Sequence, residues 1–429
     1  MKSRKEHTCQ LVAMVALSMV LMGGMPSAFC AAAPPEPDDI VIGMSAAFMG
    51  SSHGLGIELY RGAMAYLEHV NSNGGVHGRK VRIRTYDDSY NPALAIKNTI
   101  KLTNDEEVLL LFGYVGTPTV TRVLPLLKLN QEKAMLLFFP FTGAQPQRQY
   151  PYDRFVFNLR ASYSQETEKL VTFFVSDNKK KIAIFYQADA YGRSGWSGVR
   201  SALAKHDLTI AAEATYKRGT KFTERFDLQV RALKKVSPDA IISIGSYCAC
   251  AGFIRDARDA GLDVPIANVS FVGSDNLLNK LEDAGENSPT DYTRSLINSQ
   301  VVPSYEDLSF PVVKQYRALM DQYKPDAPAD ISDKSYIPDK YSFVGLEGFV
   351  NAKVLVEVLK KLEGNLSRDR IKVATESISG LDIGLKEDIS FSSSKHQGLN
   401  SVYLTTVKDG RFVSIPETGD RPEVGDERE

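Results

Sequence analysis

The stretch Leu109-Leu110-Leu111-Phe112-Gly113-Tyr114-Val115-Gly116-Thr117-Pro118-Thr119 decides how the chain is read. An apolar run of strand length stops at a glycine, and a threonine then stands directly before a proline. Threonine is a good helix N-cap, and proline at the first helical position gives up no hydrogen bond, so the sequence predicts a buried strand handing over to a capped helix. One such turn needs no reading beyond a helix cap. Its weight comes from recurrence on both sides.

Upstream, Ile40-Val41-Ile42-Gly43-Met44 reads as a buried strand, and a loop rich in Gly and Ser follows over 50–56. From 56 to 73 the apolar residues Ile57, Leu59, Tyr60, Ala63, Met64, Leu67 and Val70 recur at helical spacing. Asn73-Gly74-Gly75 ends that helix with residues suited to a left-handed C-cap. Residues 81–86 alternate as a strand, Asp87-Asp88 closes it, and Asn91-Pro92 supplies a cap and a first-turn proline. Downstream, 181–186 and 240–244 read as strands, and 162–177, 193–206, 222–236 and 250–260 as helices. Short apolar strands alternating with helices build βαβ units around a parallel sheet. Two such series, divided near residue 158, predict an α/β protein of two Rossmann-like lobes. A long amphipathic helix at 341–361, short strands and turns over 381–415, and an acidic, Pro- and Gly-rich tail at 416–429 complete the chain.

Composition sets outer limits. The 429 residues are 43% hydrophobic and 24% charged, ample for a sizeable core, and the formal net charge of −1 gives no reason to expect nucleic acid or an anionic membrane surface as partner. Lys2, Arg4 and Lys5 precede an apolar segment at 11–25, and small residues follow around 27–33, the order of a secretory signal peptide. That segment, about fifteen residues, is short for the ~20 of a bilayer span. Export leaves Cys248 and Cys250 in the mature chain, which is no disulfide scaffold. Cys30 raises lipid anchoring, but Phe29 before it fits that signal poorly.

Catalytic signatures are missing. The six histidines at 7, 53, 69, 77, 206 and 396 form no ligand pair at helical spacing, and neither a G-x-S-x-G elbow nor a Walker loop occurs. Gly54-Leu55-Gly56 lacks the third glycine of a dinucleotide turn, and Cys248-Ala249-Cys250 reads as small residues where a strand passes into a helix. Asp87 and Asp88, adjacent on a strand, point to opposite faces and read as turn-forming acids. No enzyme, metal or cofactor is expected.

A different device recurs. In parallel α/β sheets ligands bind beyond the carboxyl ends of the strands, where the next helices aim free N–H groups outward. Thr117 stands at one such exit; Phe138-Phe139-Pro140-Phe141-Thr142-Gly143 repeats the arrangement, and Asp189-Ala190-Tyr191, Ser246-Tyr247 and Gly273-Ser274-Asp275 each follow a strand. Each alone is as well explained by a cap or a packed ring. Five together predict a shared site.

With these residues in view the chain resembles the leucine/isoleucine/valine-binding solute-binding proteins of ABC importers, the type I periplasmic binding proteins, over about 39 to 410. The resemblance is carried by Ile40-Val41-Ile42-Gly43, Arg61-Gly62-Ala63, the run Val70-Asn71-Ser72-Asn73-Gly74-Gly75-Val76-His77-Gly78-Arg79-Lys80, Tyr86-Asp87-Asp88, Ala190-Tyr191-Gly192 and Phe253 to Gly261. It implies two lobes joined by three crossovers that close on a ligand. The boundaries it suggests are a signal peptide at 1–32, a linker at 33–38, a first lobe of 39–158 plus 303–365, a second of 159–302 plus 366–415, and the tail.

Carried over by position, Thr117 matches the hydroxyl that grips a ligand carboxylate, and Thr142 the second hydroxyl, with Gly143 as its alternative. Tyr191 matches a tyrosine covering the ligand, Tyr247 (or Ser246) one that meets its ammonium, and Asp275 the acid that pairs with that ammonium. Leu55 falls at the cleft mouth. Phe141 stands where the family commonly has a small residue, and with Tyr114, Phe138 and Phe139 it predicts a first-lobe wall more aromatic than a small aliphatic ligand needs. The implied protein is a periplasmic monomer that hands a small organic ligand to an inner-membrane ABC permease. The alternative is a sensory or lipid- or aromatic-compound-binding protein using the same clamp.

Overall fold

The computed structural model describes residues 39–363 and 366–416; the expected signal peptide and linker, and residues 417–429 of the expected tail, lie outside the described residues. The chain opens with β1 (Ile40–Ala46), buried along its whole length, and continues through α1 (His53–Ser72), β2 (Val81–Asp87), α2 (Pro92–Asn104) and β3 (Val108–Phe112). Next come α3 (Thr117–Leu129), β4 (Leu137–Phe138) and β5 (Val156–Phe157). The strands form a parallel sheet in the order β2-β1-β3-β4-β5. Helices cover both its faces, which is why its inner strands are continuous apolar runs.

Local chemistry sets the ends of these elements. The Asn91 side chain accepts from the Ala93 N–H and caps α2 as expected. At α3 the cap is not Thr117 but Gly116, with φ 100°, and Thr117 is the first helical residue. A Cβ at Gly116 would meet the Tyr90 ring at 2.1 Å, so glycine is required there, and the Thr117 hydroxyl is released from capping.

The second series runs α4 (Tyr163–Ser176), β6 (Ile182–Gln187), α5 (Ala190–Ala204), β7 (Glu213–Tyr216), α6 (Asp227–Lys234), β8 (Ala240–Ile244), α7 (Tyr247–Asp259), β9 (Ile266–Asn268), α8 (Ser274–Gly285) and β10 (Leu296–Gln300). Ser162 and Gln165 form a reciprocal capping box that fixes the start of α4. α6 is shorter than the expected 222–236. Glu224 accepts from the Lys221 N–H to make a turn, and the Phe226 N–H is held by the buried Asp256 carboxylate, so the helix starts only at Asp227.

The chain then returns to the first sheet. Three helices follow, α9 (Pro311–Tyr323), α10 (Phe343–Lys360) and α11 (Arg368–Glu376), with α9 and α10 packed on α1. Finally β11 (Tyr403–Lys408) and β12 (Arg411–Ser414) join the second sheet as antiparallel strands, giving the order β12-β11-β10-β9-β8-β6-β7.

The expected passage into the second lobe at 366 comes later. Arg368 donates to the carbonyls of Asp105 and Val108 at 2.6 and 2.7 Å, which ties α11 to the first lobe. Residue 397 still pairs with Asn158, and the chain leaves for β11 only after that. There the crossover runs beside the one after β5: the Gly398 and Leu399 N–H groups donate to the Asn158 and Leu159 carbonyls. The remaining crossover leaves β10 near 301–304. Among the described residues no helix is long and apolar enough to cross a membrane.

Candidate functional site

Both sheets turn the carboxyl ends of their strands toward each other, and the two lobes touch there. Ser52 Oγ lies 2.9 Å from Ser246 Oγ, the Gly54 N–H donates to Tyr247 Oη at 3.2 Å, and Gln187 Nε2 donates to Tyr90 Oη at 3.3 Å. All seven residues expected at the site are buried at this junction.

The first lobe supplies a paired hydroxyl. Thr117 opens α3, Thr142 follows β4, and their Oγ1 atoms are 2.7 Å apart. Gly143 lies under Tyr163: its carbonyl accepts the Tyr163 N–H at 2.7 Å, and a Cβ there would sit 2.6 Å from the ring. This close approach seats the phenol beside the two threonines. Phe141 packs on Phe271 with ring centres 5.3 Å apart, and the Arg160 guanidinium stands 4.7 Å from its ring centre. The second lobe closes this wall with Tyr191, whose ring is 4.7 Å from Phe271 and 5.3 Å from Tyr163. Asp189 holds Tyr191 in place by capping α5 through its N–H.

The other predicted residues have found protein partners. Leu55, in the first turn of α1, fills the space where Gly273 has no Cβ. Tyr247 opens α7, and its hydroxyl is engaged by Gly54. Asp275, in the first turn of α8, accepts from Tyr305 Oη at 2.8 Å and from the Phe343 N–H at the start of α10 at 2.8 Å. Burial, reinforced by Asp339, pushes its carboxyl up to about 8. Asp275 therefore bridges lobes instead of standing open beside the Thr117–Thr142 pair. Tyr114, Phe138 and Phe139 leave the wall as well. Tyr114 donates nothing to the junction: it packs in the smaller core beside Val120 and Leu124, and its oxygen accepts from Thr99. Phe138 stacks on Phe157, and Phe139 on Phe391.

Sequence reading missed Arg160, Tyr163, Tyr90 and Phe271. Arg160 and Tyr163 leave β5, which is two residues long and gave no strand signal; the capping pair Ser162/Gln165 was the available clue. Arg160 sits in a buried charge cluster, with Nη2 3.5 Å from Glu166, Nη1 3.5 Å from Glu347, and a bond from Nη2 to Ser270 Oγ. Glu166 is held in turn by the Ser270 N–H and by Ser299. Burial raises Glu347 to about 7. Cys248 and Cys250 are buried free thiols in the first turn of α7. Among the described residues no group of three His, Cys, Asp or Glu side chains is placed to hold a metal ion.

Two mostly parallel α/β lobes, linked by three crossovers and facing each other across their strand exits, define the type I periplasmic binding fold. The family model for the periplasmic binding proteins matches residues 39–411, and the chain belongs to that family. Membership implies an extracytoplasmic location and a family of binding proteins rather than enzymes. The chain is 26% identical over 226 residues to Leu/Ile/Val-binding protein homolog 3 of Brucella melitensis, a match covering 52% of this chain and 59% of that protein. It is 24% identical to homolog 7 of the same organism, covering 91% of this chain and 94% of the relative. Among solved structures it is similar to a possible leucine/isoleucine/valine-binding protein from Rhodopirellula baltica, at 30% identity and TM-score 0.78, over 90% of this chain and 98% of that one.

Proposed function

We propose that this chain is an extracytoplasmic substrate-binding protein that captures a small organic ligand, an amino acid or a related compound, between its lobes and delivers it to an ABC-type permease in the inner membrane. The observation that carries this reading is the convergence of strand exits from two hinged lobes on one buried set of hydroxyls and rings. Thr117, Thr142, Phe141 and Tyr191, with Leu55 and Tyr247 toward the edge, are the ligand-binding residues on this reading. Two threonine hydroxyls and the first-turn N–H groups of α3 suit a ligand carboxylate, since a charge-assisted hydrogen bond contributes about 1.5–3 kcal/mol net. The relatives named for leucine, isoleucine and valine support the same class of ligand. The protein acts as a monomer in this scheme.

A second reading follows from the ring wall of Phe141, Phe271, Tyr163 and Tyr191: a sensory or carrier protein for an aromatic or bulky apolar compound. A thermal-shift screen against amino acids and small organic acids tests capture, because ligand at 100 times Kd adds about 2.7 kcal/mol of stability. No shift with any class would count against the reading. Uptake of the identified ligand by cells lacking the protein then separates delivery, which requires the uptake to fall, from sensing, which does not.

A further inference from the structure

Given the reading that the cleft holds a ligand, the polar groups facing it constrain what that ligand carries. Donors without a partner gather on one side. Tyr163 Oη and Arg160 Nε are buried and make no hydrogen bond, and Arg160 Nη1 makes none beyond its ion pair with Glu347 at 3.5 Å. Burial pushes the Tyr163 phenol up; Arg160 and the Thr142 and Thr117 hydroxyls, which stand within hydrogen-bonding reach, oppose that, but neither threonine makes a well-formed bond to its oxygen. The guanidinium centre is 6.0 Å from the Tyr163 ring centre, which makes the two side chains neighbours. Buried groups of this kind are costly unless something accepts from them.

The carboxylates of the junction are in the opposite condition. Asp275 is filled by Tyr305 and the Phe343 N–H. Asp189 is filled by Gln187, the Tyr191 N–H and Arg218. Glu166 is filled by Ser270 and Ser299, and Glu347 faces the Arg160 guanidinium. Asp339 has one oxygen without a partner, but it sits with Asn279 and the Glu58–Arg61 pair on the loop before α10. An ammonium entering beside Thr117 and Thr142 finds hydroxyl oxygens but no open carboxylate, and it stands near the Arg160 cation. An oxyanion meets partners.

We propose that the ligand is an organic acid without an ammonium group, with an aromatic or branched body lying against Phe141, Phe271 and Tyr191, and with its carboxylate received by Tyr163 and Arg160 together with the threonine pair. This deepens the function proposed above and makes Tyr163 a specificity-determining residue. Asp275, held protonated toward pH 8 and bonded on both oxygens, then serves lobe contact, not ligand charge.

The test uses matched acids that differ only in the ammonium: 3-phenylpropanoate against phenylalanine, and 4-methylpentanoate against leucine, titrated calorimetrically into the mature chain. Each acid is expected to bind at least about tenfold tighter than its amino acid, and Tyr163→Phe to weaken the acids about tenfold while leaving thermal unfolding unchanged. Tighter binding of the amino acids, or acid affinity untouched by Tyr163→Phe, overturns the assignment and leaves the binding-protein reading standing. If neither series binds, the assignment also falls. Native mass spectrometry then separates the two failures: a different small molecule retained by the purified protein preserves the general reading, and no retained molecule removes that as well.

Discussion

Two buried polar clusters lie at the lobe junction, and they differ in how fully they are satisfied. Asp275, Glu58 and Arg61 themselves have every strong partner in place, and only the neighbouring Asp339 keeps one oxygen unbonded. Arg61 Nη1 donates to both Glu58 oxygens at 2.9 and 2.8 Å, Nε donates to the Pro325 carbonyl, and Glu58 also accepts from Tyr336, Ser342 and the Asp339 N–H. Around Tyr163, Arg160, Thr117 and Thr142, donors are left over. Both clusters are buried and both include a residue at a strand exit, Asp275 in one and Thr117 in the other, so position alone does not tell a ligand site from a structural clasp. Satisfaction of the polar groups does. A full network holds the protein, and an incomplete one waits for something to complete it.

The sharpest way to break this contrast is Arg61→Met. Removing one partner of a buried ion pair leaves the other uncompensated, so destabilisation of about 3–5 kcal/mol is expected in urea unfolding. Ligand affinity of the folded fraction should be retained. A loss under 1 kcal/mol would mean the clasp contributes little and the two clusters are not different in kind.

Next in size is the response to pH. Asp275 is raised to about 8, and Glu58 and Asp88 to about 7, by burial. Carboxyls of the unfolded chain titrate near 4, so between about pH 4 and pH 8 these three carboxyls bind more protons in the folded chain than in the unfolded one. Stability then falls as pH rises through that window. The urea midpoint should be higher at pH 5 than at pH 8, by an amount on the order of 1 kcal/mol or more, and Asp275→Asn should flatten the slope. A midpoint that climbs toward pH 8 contradicts the clasp as described.

This contrast also marks where sequence reading stops. The elements from β1 to α3 were legible because apolar runs, the Asn73-Gly74-Gly75 stop and the Asn91-Pro92 start are local signals. The strand exits at Thr117, Thr142, Tyr191 and Tyr247 were legible for the same reason. What was not legible depends on partners far along the chain. Asp275 takes its bonds from Tyr305 and Phe343, and α11 stays on the first lobe because Arg368 reaches carbonyls at 105 and 108. No periodicity or motif carries those contacts. Thr117 was misplaced by one position because the requirement for glycine at 116 is set by the Tyr90 ring, again a tertiary neighbour.

The smallest expected effects discriminate best, because they compare one phenol with another. Tyr305 Oη donates to Asp275 at 2.8 Å, so Tyr305→Phe removes a partly buried hydrogen bond and leaves an acceptor short; a loss of about 1 kcal/mol is expected. Tyr163 Oη makes no well-formed bond, although the Thr117 and Thr142 hydroxyls stand beside it, so Tyr163→Phe removes at most a weak contact and takes an under-satisfied group out of the interior. Its expected cost in urea unfolding is within about 0.5 kcal/mol of zero, and a slight gain is consistent. The two variants delete the same atom from a buried ring and a mostly buried one, which cancels part of what burial and ring packing contribute. If Tyr163→Phe costs as much as Tyr305→Phe, its hydroxyl is part of the protein's own network, and the threonine side of the junction is a second clasp. If it costs nothing while ligand binding weakens, the hydroxyl is held in place for a partner from outside the chain.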